Sequence, residues 1–191
     1  DIYSADPDWV AREIETIAAS VDENPFEGGH NMAGYGLASV EFGWGKPGTG
    51  LWLYYGRNGG HGHLDRLNFD IYYKGLCMLP DLGYPEFATT WPKRLYFTDN
   101  TISHNTVIVN ETPQATNWVG HPELFCQSDD FGAVRVDSRE VYGDTTKYQR
   151  TMAFIKVGEG QAYAFDVFRV TGGNDHLYVL HGPPGEVSTD G

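Results

Sequence analysis

The chain reads as a mainly β protein, an antiparallel β-sandwich preceded by one short helix. Residues 67–73 show the pattern best: Leu67, Phe69, Ile71 and Tyr73 alternate with Asn68, Asp70 and Tyr72, as in a half-buried strand. Similar short runs recur from residue 35 onward. Between them fall turn formers, within a total of 24 glycines and 10 prolines, as a fold of many short strands requires. Helical spacing of apolar side chains stands out in one place, the first 21 residues.

That helix is expected over residues 6–21. Asp6 or Asp8 can cap it, Pro7 suits its first turn, and Trp9, Val10, Ile14, Ile17, Ala18 and Val21 recur at helical intervals. Residues 22–34, with Asn24-Pro25, Gly28-Gly29 and Gly34, read as a linker, and His30 as a solvated loop histidine. Strands are expected at 35–42, 51–55, 67–73, 76–79, 106–110, 132–137, 151–157, 162–170 and 177–181. Turns are expected at 43–50, 74–75, 158–160 and 172–174. Residues 84–100 form a long irregular segment, a length that usually serves function. Two parts follow: helix and linker over 1–34, and a sandwich over 35–191.

The net charge of −13 speaks against nucleic acid as a general partner. No apolar run approaches the roughly 18 residues that a membrane span needs. The start, Asp1-Ile2-Tyr3, has neither an initiator Met nor a signal peptide, so the chain reads as a processed product or a piece of something longer. Nothing in the spacing of Cys77 and Cys126 demands a disulfide, and they read as two buried thiols. Residues 54–96 hold five cations (Arg57, Arg66, Lys74, Lys93, Arg94) against four anions, a less acidic island that suits an anionic ligand.

The densest chemistry lies at Gly59-Gly60-His61-Gly62-His63-Leu64-Asp65. If the segment is extended, His61 and His63 share a face, and the glycines let the backbone approach a ligand closely. His63, Asp81 and His104 all fall at edges of expected strands. Imidazole nitrogen and carboxylate oxygen suit zinc, with bonds of about 2.0–2.2 Å, and three protein ligands leave a fourth position. Spacing alone leaves a metal site and an accidental triplet both open.

Three motifs in order carry a resemblance: Gly59-Gly60-His61-Gly62-His63-Leu64-Asp65-Arg66-Leu67-Asn68-Phe69, then Leu79-Pro80-Asp81-Leu82-Gly83-Tyr84, then Thr101-Ile102-Ser103-His104-Asn105-Thr106-Val107. Together they resemble the heparinase II/III-like polysaccharide lyases, which include oligo-alginate lyases and the heparin and heparan sulfate lyases. The likeness covers about residues 35–183. It implies a β-sandwich that follows an N-terminal α/α toroid, with the toroid absent from this sequence, and a periplasmic or secreted location. It implies that His61 lies in the active cleft and that His63, Asp81 and His104 bind one Zn2+ of mainly orienting role. It also implies β-elimination beside a uronate carboxylate, on an anionic polysaccharide or oligosaccharide. The main tyrosine acid/base of the family resembles toroid residues that this sequence lacks, so Tyr96 is a local candidate for an accessory tyrosine. Arg94, Arg57 and Arg66 are candidate carboxylate or sulfate contacts. Trp91 is a candidate sugar-stacking ring, and Asn105 a residue that orients a ligand or caps a strand.

Two other readings compete. A non-catalytic glycan-binding sandwich has the same strands without turnover. A metal-dependent hydrolase would use His61-Gly62-His63-Leu64-Asp65 as a ligand motif, but that motif needs His at position 66, where this chain has Arg66, and a helix where residues 67–73 read as a strand.

Overall fold

The structure, a computed structural model, describes residues 6–20, 28–43, 48–84, 92–158, 161–183 and 185–186. Helix α1 (Pro7–Ala19) starts at the expected cap: the Asp6 carboxylate accepts a bond from Trp9 N at 2.9 Å, and Pro7 fills the first turn. None of its residues is buried, and Trp9, Ile14 and Ile17 are exposed.

In chain order the strands are β1 (His30–Met32), β2 (Leu37–Phe42), β3 (Thr49–Tyr54), β4 (Phe69–Tyr73), β5 (Leu76–Cys77), β6 (Val107–Val109), β7 (His121–Gln127), β8 (Phe131–Asp137), β9 (Thr145–Gly158), β10 (Gln161–Gly172) and β11 (His176–Tyr178). One sheet has the order β1-β2-β3-β4-β5, a second β10-β9-β8-β7, and β11 pairs with β6 in a short ribbon. All the pairings are antiparallel. The register sets Ala38 against Leu53, Val40 against Leu51, Leu51 against Ile71 and Leu53 against Phe69, so one face of the first sheet is continuously apolar. Val134, Val136, Tyr148, Met152 and Phe154 of the second sheet cover it. Burying these side chains, at about 1.5–3 kcal/mol each, is what holds the two sheets together. The expected mainly β sandwich with one helix is the fold observed.

The structure departs from expectation in three places. Residues 30–32 are not linker: β1 pairs with β2, His30 opposite Ser39, and His30 is half-buried rather than solvated. An edge strand of three residues is held by backbone bonds, which leave little mark on composition. β7 carried no expectation, and it contains Pro122. The structure accommodates that proline at the sheet edge, with a register shift between Pro122 and Leu124. β9 begins six residues before position 151, at Thr145. Its first half is polar in sequence, yet Tyr148, Gln149 and Arg150 are buried there. Cys77 and Cys126 are free and half-buried. Trp91, residues 44–47 of the turn at 43–50 and part of the turn at 158–160 lie outside the described residues.

Candidate metal centre

The link from β3 to β4 is a folded turn. Gly59 and Gly60 take φ of +79° and +74°, Gly62 N donates to Gly59 O at 3.3 Å, and Gly59 N donates to His63 O at 3.0 Å. A Cβ on Gly59 would collide with the Thr116 side chain. The expectation that His61 and His63 share a face is therefore corrected. Alternate residues align only in extended backbone, and two left-handed glycines bend this one, leaving His61 exposed and His63 5% exposed. Beyond the turn the chain is pinned: Leu64 N donates to Asp99 O and Thr101 Oγ1 donates to Leu64 O, each at 2.8 Å. The Gln114 side chain accepts from Arg66 N at 2.7 Å and donates to Arg66 O at 2.9 Å. Leu67, buried at φ +63°, then turns the chain into β4.

Asp81 follows β5 in a short turn, where Gly83 N donates to its Oδ1 at 2.7 Å and Asn68 Nδ2 to its Oδ2 at 2.9 Å. His104 leaves a single 3-10 turn, Thr101–Ser103, and is 1% exposed. Its Nδ1 is hydrogen-bonded to Asp81 Oδ2 at 2.8 Å. The rings of His63 and His104 lie 5.1 Å apart, and Tyr84 lies 5.5 Å from His63. Thus His63, Asp81 and His104, separated by up to 41 positions, meet, and Asp65 joins them. One ligand atom from each of the four lies within 4.8 Å of the others.

A dication fits this cluster. His63 Nε2, His104 Nε2 and Asp65 Oδ1 are buried and have no hydrogen-bond partner among the described residues. Burial, with the neighbouring His104, lowers the pKa of His63, which favours the neutral imidazole that a metal requires. Burial acts to raise Asp81, but the bonds from His104 and Gly83 outweigh it and hold this carboxyl below its usual range. Burial pushes Asp65 up to about 7. Two nitrogen and two oxygen donors of this kind suit zinc.

Known proteins share this architecture. The family described as Heparinase II/III-like, C-terminal matches residues 52–160. The chain belongs to the heparinase II/III-like C-terminal family. An alginate lyase of Stenotrophomonas maltophilia (strain K279a) is 29% identical over 137 residues, covering 63% of this chain and 18% of that protein. A heparinase III structure superposes with a TM-score of 0.76 at 20% identity, covering 93% of this chain and 28% of that one. The heparan sulfate lyase HepC from Pedobacter heparinus gives 0.67 at 17% identity, covering 85% and 25%. This chain therefore spans between 18% and 28% of the length of these relatives.

In this heparinase II/III-like domain the other candidate residues separate into exposed and enclosed groups. Tyr96 is exposed on a π-helical turn, Arg94–Thr98. Arg94 on the same turn donates through Nε to Asp99 Oδ2 at 2.7 Å, and Asp99 Oδ1 lies 3.7 Å from His63 Nε2. Arg57 is exposed, 4.9 Å over the Trp118 ring. Arg66 is a correction: its side chain is wholly buried, bonded to Trp118 O and directed at Ser138 and Asn58, so it braces the loops and meets no substrate. Asn105 is a second correction. It is buried, its Nδ2 donates to Phe69 O at 3.0 Å, and its Oδ1 accepts from His181 N at 2.6 Å. Its amide is spent on the scaffold. The hydrolase reading loses its helix, since β4 follows the motif.

Sequence reasoning passed over four residues of the site. Asp65 stood inside the quoted motif, two positions beyond His63, and that was the available signal. Asn68 and Asp99, which orient Asp81 and approach His63, and Arg150, described below, act through contacts that no local pattern announces.

Proposed function

We propose that this domain is the β-sandwich part of a polysaccharide lyase that cleaves uronic-acid-containing polysaccharide or oligosaccharide, of alginate or heparan type, by β-elimination. The observation that carries the reading is an exposed His61 on a glycine turn whose next-but-one residue anchors a buried His/Asp cluster, in a chain of this family. Two of the relatives named above are lyases by name, which supports the same class.

In such an elimination a base takes the proton α to the uronate carboxylate. The electron pair forms the carbon–carbon double bond, the bond to the glycosidic oxygen breaks, and that oxygen takes a proton. His61 is a group placed in solvent to hold or move a proton at its imidazole, and Tyr96 offers a second through its phenol. Arg57 and Arg94 offer guanidinium to a carboxylate or sulfate, with Arg94 oriented by Asp99. His63, Asp81 and His104 would hold Zn2+, whose contribution is a rigid cross-link between the histidine turn and the 81–104 loops. The bonds of Leu64 to Asp99 and Thr101, just beyond the turn, hold the same segment in place.

Residues 1–34 are read as the end of a preceding toroid domain and 35–191 as the sandwich, although β1 brings the sheet forward to His30. The exposed Trp9, Ile14 and Ile17 support this, since an apolar helix face needs a cover. A periplasmic or secreted location goes with the same reading. The test is the full-length protein against a panel of uronic-acid polymers, read by ultraviolet absorbance of the unsaturated uronate. Growth of that absorbance is expected. Saturable binding of the polymers with no double bond formed would make this a glycan-binding sandwich instead.

A further inference from the structure

We propose that Asp65 is a direct fourth protein ligand, so that the centre is a closed His2Asp2 site with no position for water. The inference rests on the metal reading above and goes beyond the three ligands that the motifs suggest.

Three separate residues, His63, Asp65 and His104, each leave a buried polar atom without a hydrogen-bond partner among the described residues, and all three residues belong to one cluster, with His63 Nε2 also 3.7 Å from Asp99 Oδ1. A shared partner answers all three at once. The two histidines are more than nine-tenths buried. Asp81 differs from Asp65, since its oxygens already accept from Asn68, Gly83 and His104, whereas Asp65 Oδ1 accepts nothing. Asp65 is also held where it stands. Its carbonyl accepts from Asn68 N at 2.9 Å, and the Gln114 side chain grips both backbone groups of the next residue. Nor is the cluster sealed from solvent cations: a cavity of about 180 Å³ lined by Asp65, Asp81, Asp70, Asn68, Trp52 and Tyr54 reaches it. Four protein donors make a structural zinc site, and three make one that carries water. Asp65 thus decides between a clamp and a reactive centre.

The experiment loads the zinc-free protein with cobalt(II) and follows its visible spectrum as azide is added. The expected wild-type result is one bound cobalt and a spectrum that azide does not move. In Asp65→Ala azide is expected to shift the spectrum, because a position has opened. Zinc affinity, measured by competition with a chelator, is expected to fall by more than about 100-fold, beyond the range for residues that only orient ligands. Asp65→Asn keeps the side-chain shape and is expected to lose affinity in the same direction, which covers the case of a misfolded alanine variant. An azide-sensitive wild-type spectrum, or wild-type affinity in Asp65→Asn, overturns the fourth ligand while leaving the metal centre standing. A wild-type protein that binds no cobalt overturns both.

Discussion

The Arg150 guanidinium grips the Asp166 carboxylate with two parallel bonds, Nε to Oδ1 at 2.9 Å and Nη2 to Oδ2 at 2.7 Å. Arg150 Nη1 also donates to Leu67 O at 2.7 Å and to Asn105 O. One buried side chain on β9 therefore ties together the backbones that leave the Asp65 and His104 segments. Its guanidinium lies over the Phe69 ring at 4.2 Å. Arg150→Ala leaves two carbonyls without this donor and Asp166 with only the Tyr178 hydroxyl, and it is expected to cost about 3–5 kcal/mol. Urea unfolding checks this, and a loss below about 1 kcal/mol would show that the bridge does not hold the fold.

His63 and His61 should respond oppositely to substitution. His63→Ala is expected to lose bound zinc and to destabilise the zinc-loaded protein by about 2–4 kcal/mol. His61→Ala is expected to keep one zinc and its melting temperature but to lose lyase activity in the full-length protein. Metal analysis and thermal melts on both variants check this. Retained zinc in His63→Ala would refute the ligand assignment.

Chelation should act mainly on stability. Removing zinc is expected to lower the melting point, with a free-energy change of about 4 kcal/mol when free zinc stood at 1,000 times its Kd. Melts taken across a series of buffered zinc concentrations give the slope, and a melting point independent of zinc would contradict the clamp.

Glu41 on β2 carries a pH signature away from the His/Asp cluster. Burial raises its pKa, opposed by Ser39 and His30, and its Oε2 is buried with no bond partner among the described residues. A carboxylate with a raised folded pKa binds its proton more tightly when folded. Stability therefore falls as pH rises from the unfolded value through the folded one. Glu41→Gln is expected to be more stable than the parent at pH 7, and the advantage should vanish at pH 3, where both side chains are neutral. Denaturant midpoints at the two pH values check this, and an equal difference at both would exclude the mechanism.

Much of this protein was readable from local pattern. Alternation in residues 67–73 and the cap at Asp6 mark β4 and α1 because burial of one face and satisfaction of helix-end N–H groups are short-range requirements. The three motifs named His63, Asp81 and His104, and the fold brings them together. Less visible were β1 and β7, edge strands whose stability lies in backbone pairing with neighbours.

The chain's order of residues thus specified the sandwich, the helix and the identity of three residues of the His/Asp cluster, each a matter of periodicity or motif. Folding in three dimensions assigned the rest. It turned His61 outward and His63 inward on two left-handed glycines, buried Arg66 and Asn105 as braces, and set Asp65 beside the two imidazoles. Those outcomes depend on contacts between segments tens of residues apart, where burial and hydrogen-bond saturation decide a side chain's role, and no local window contains both partners.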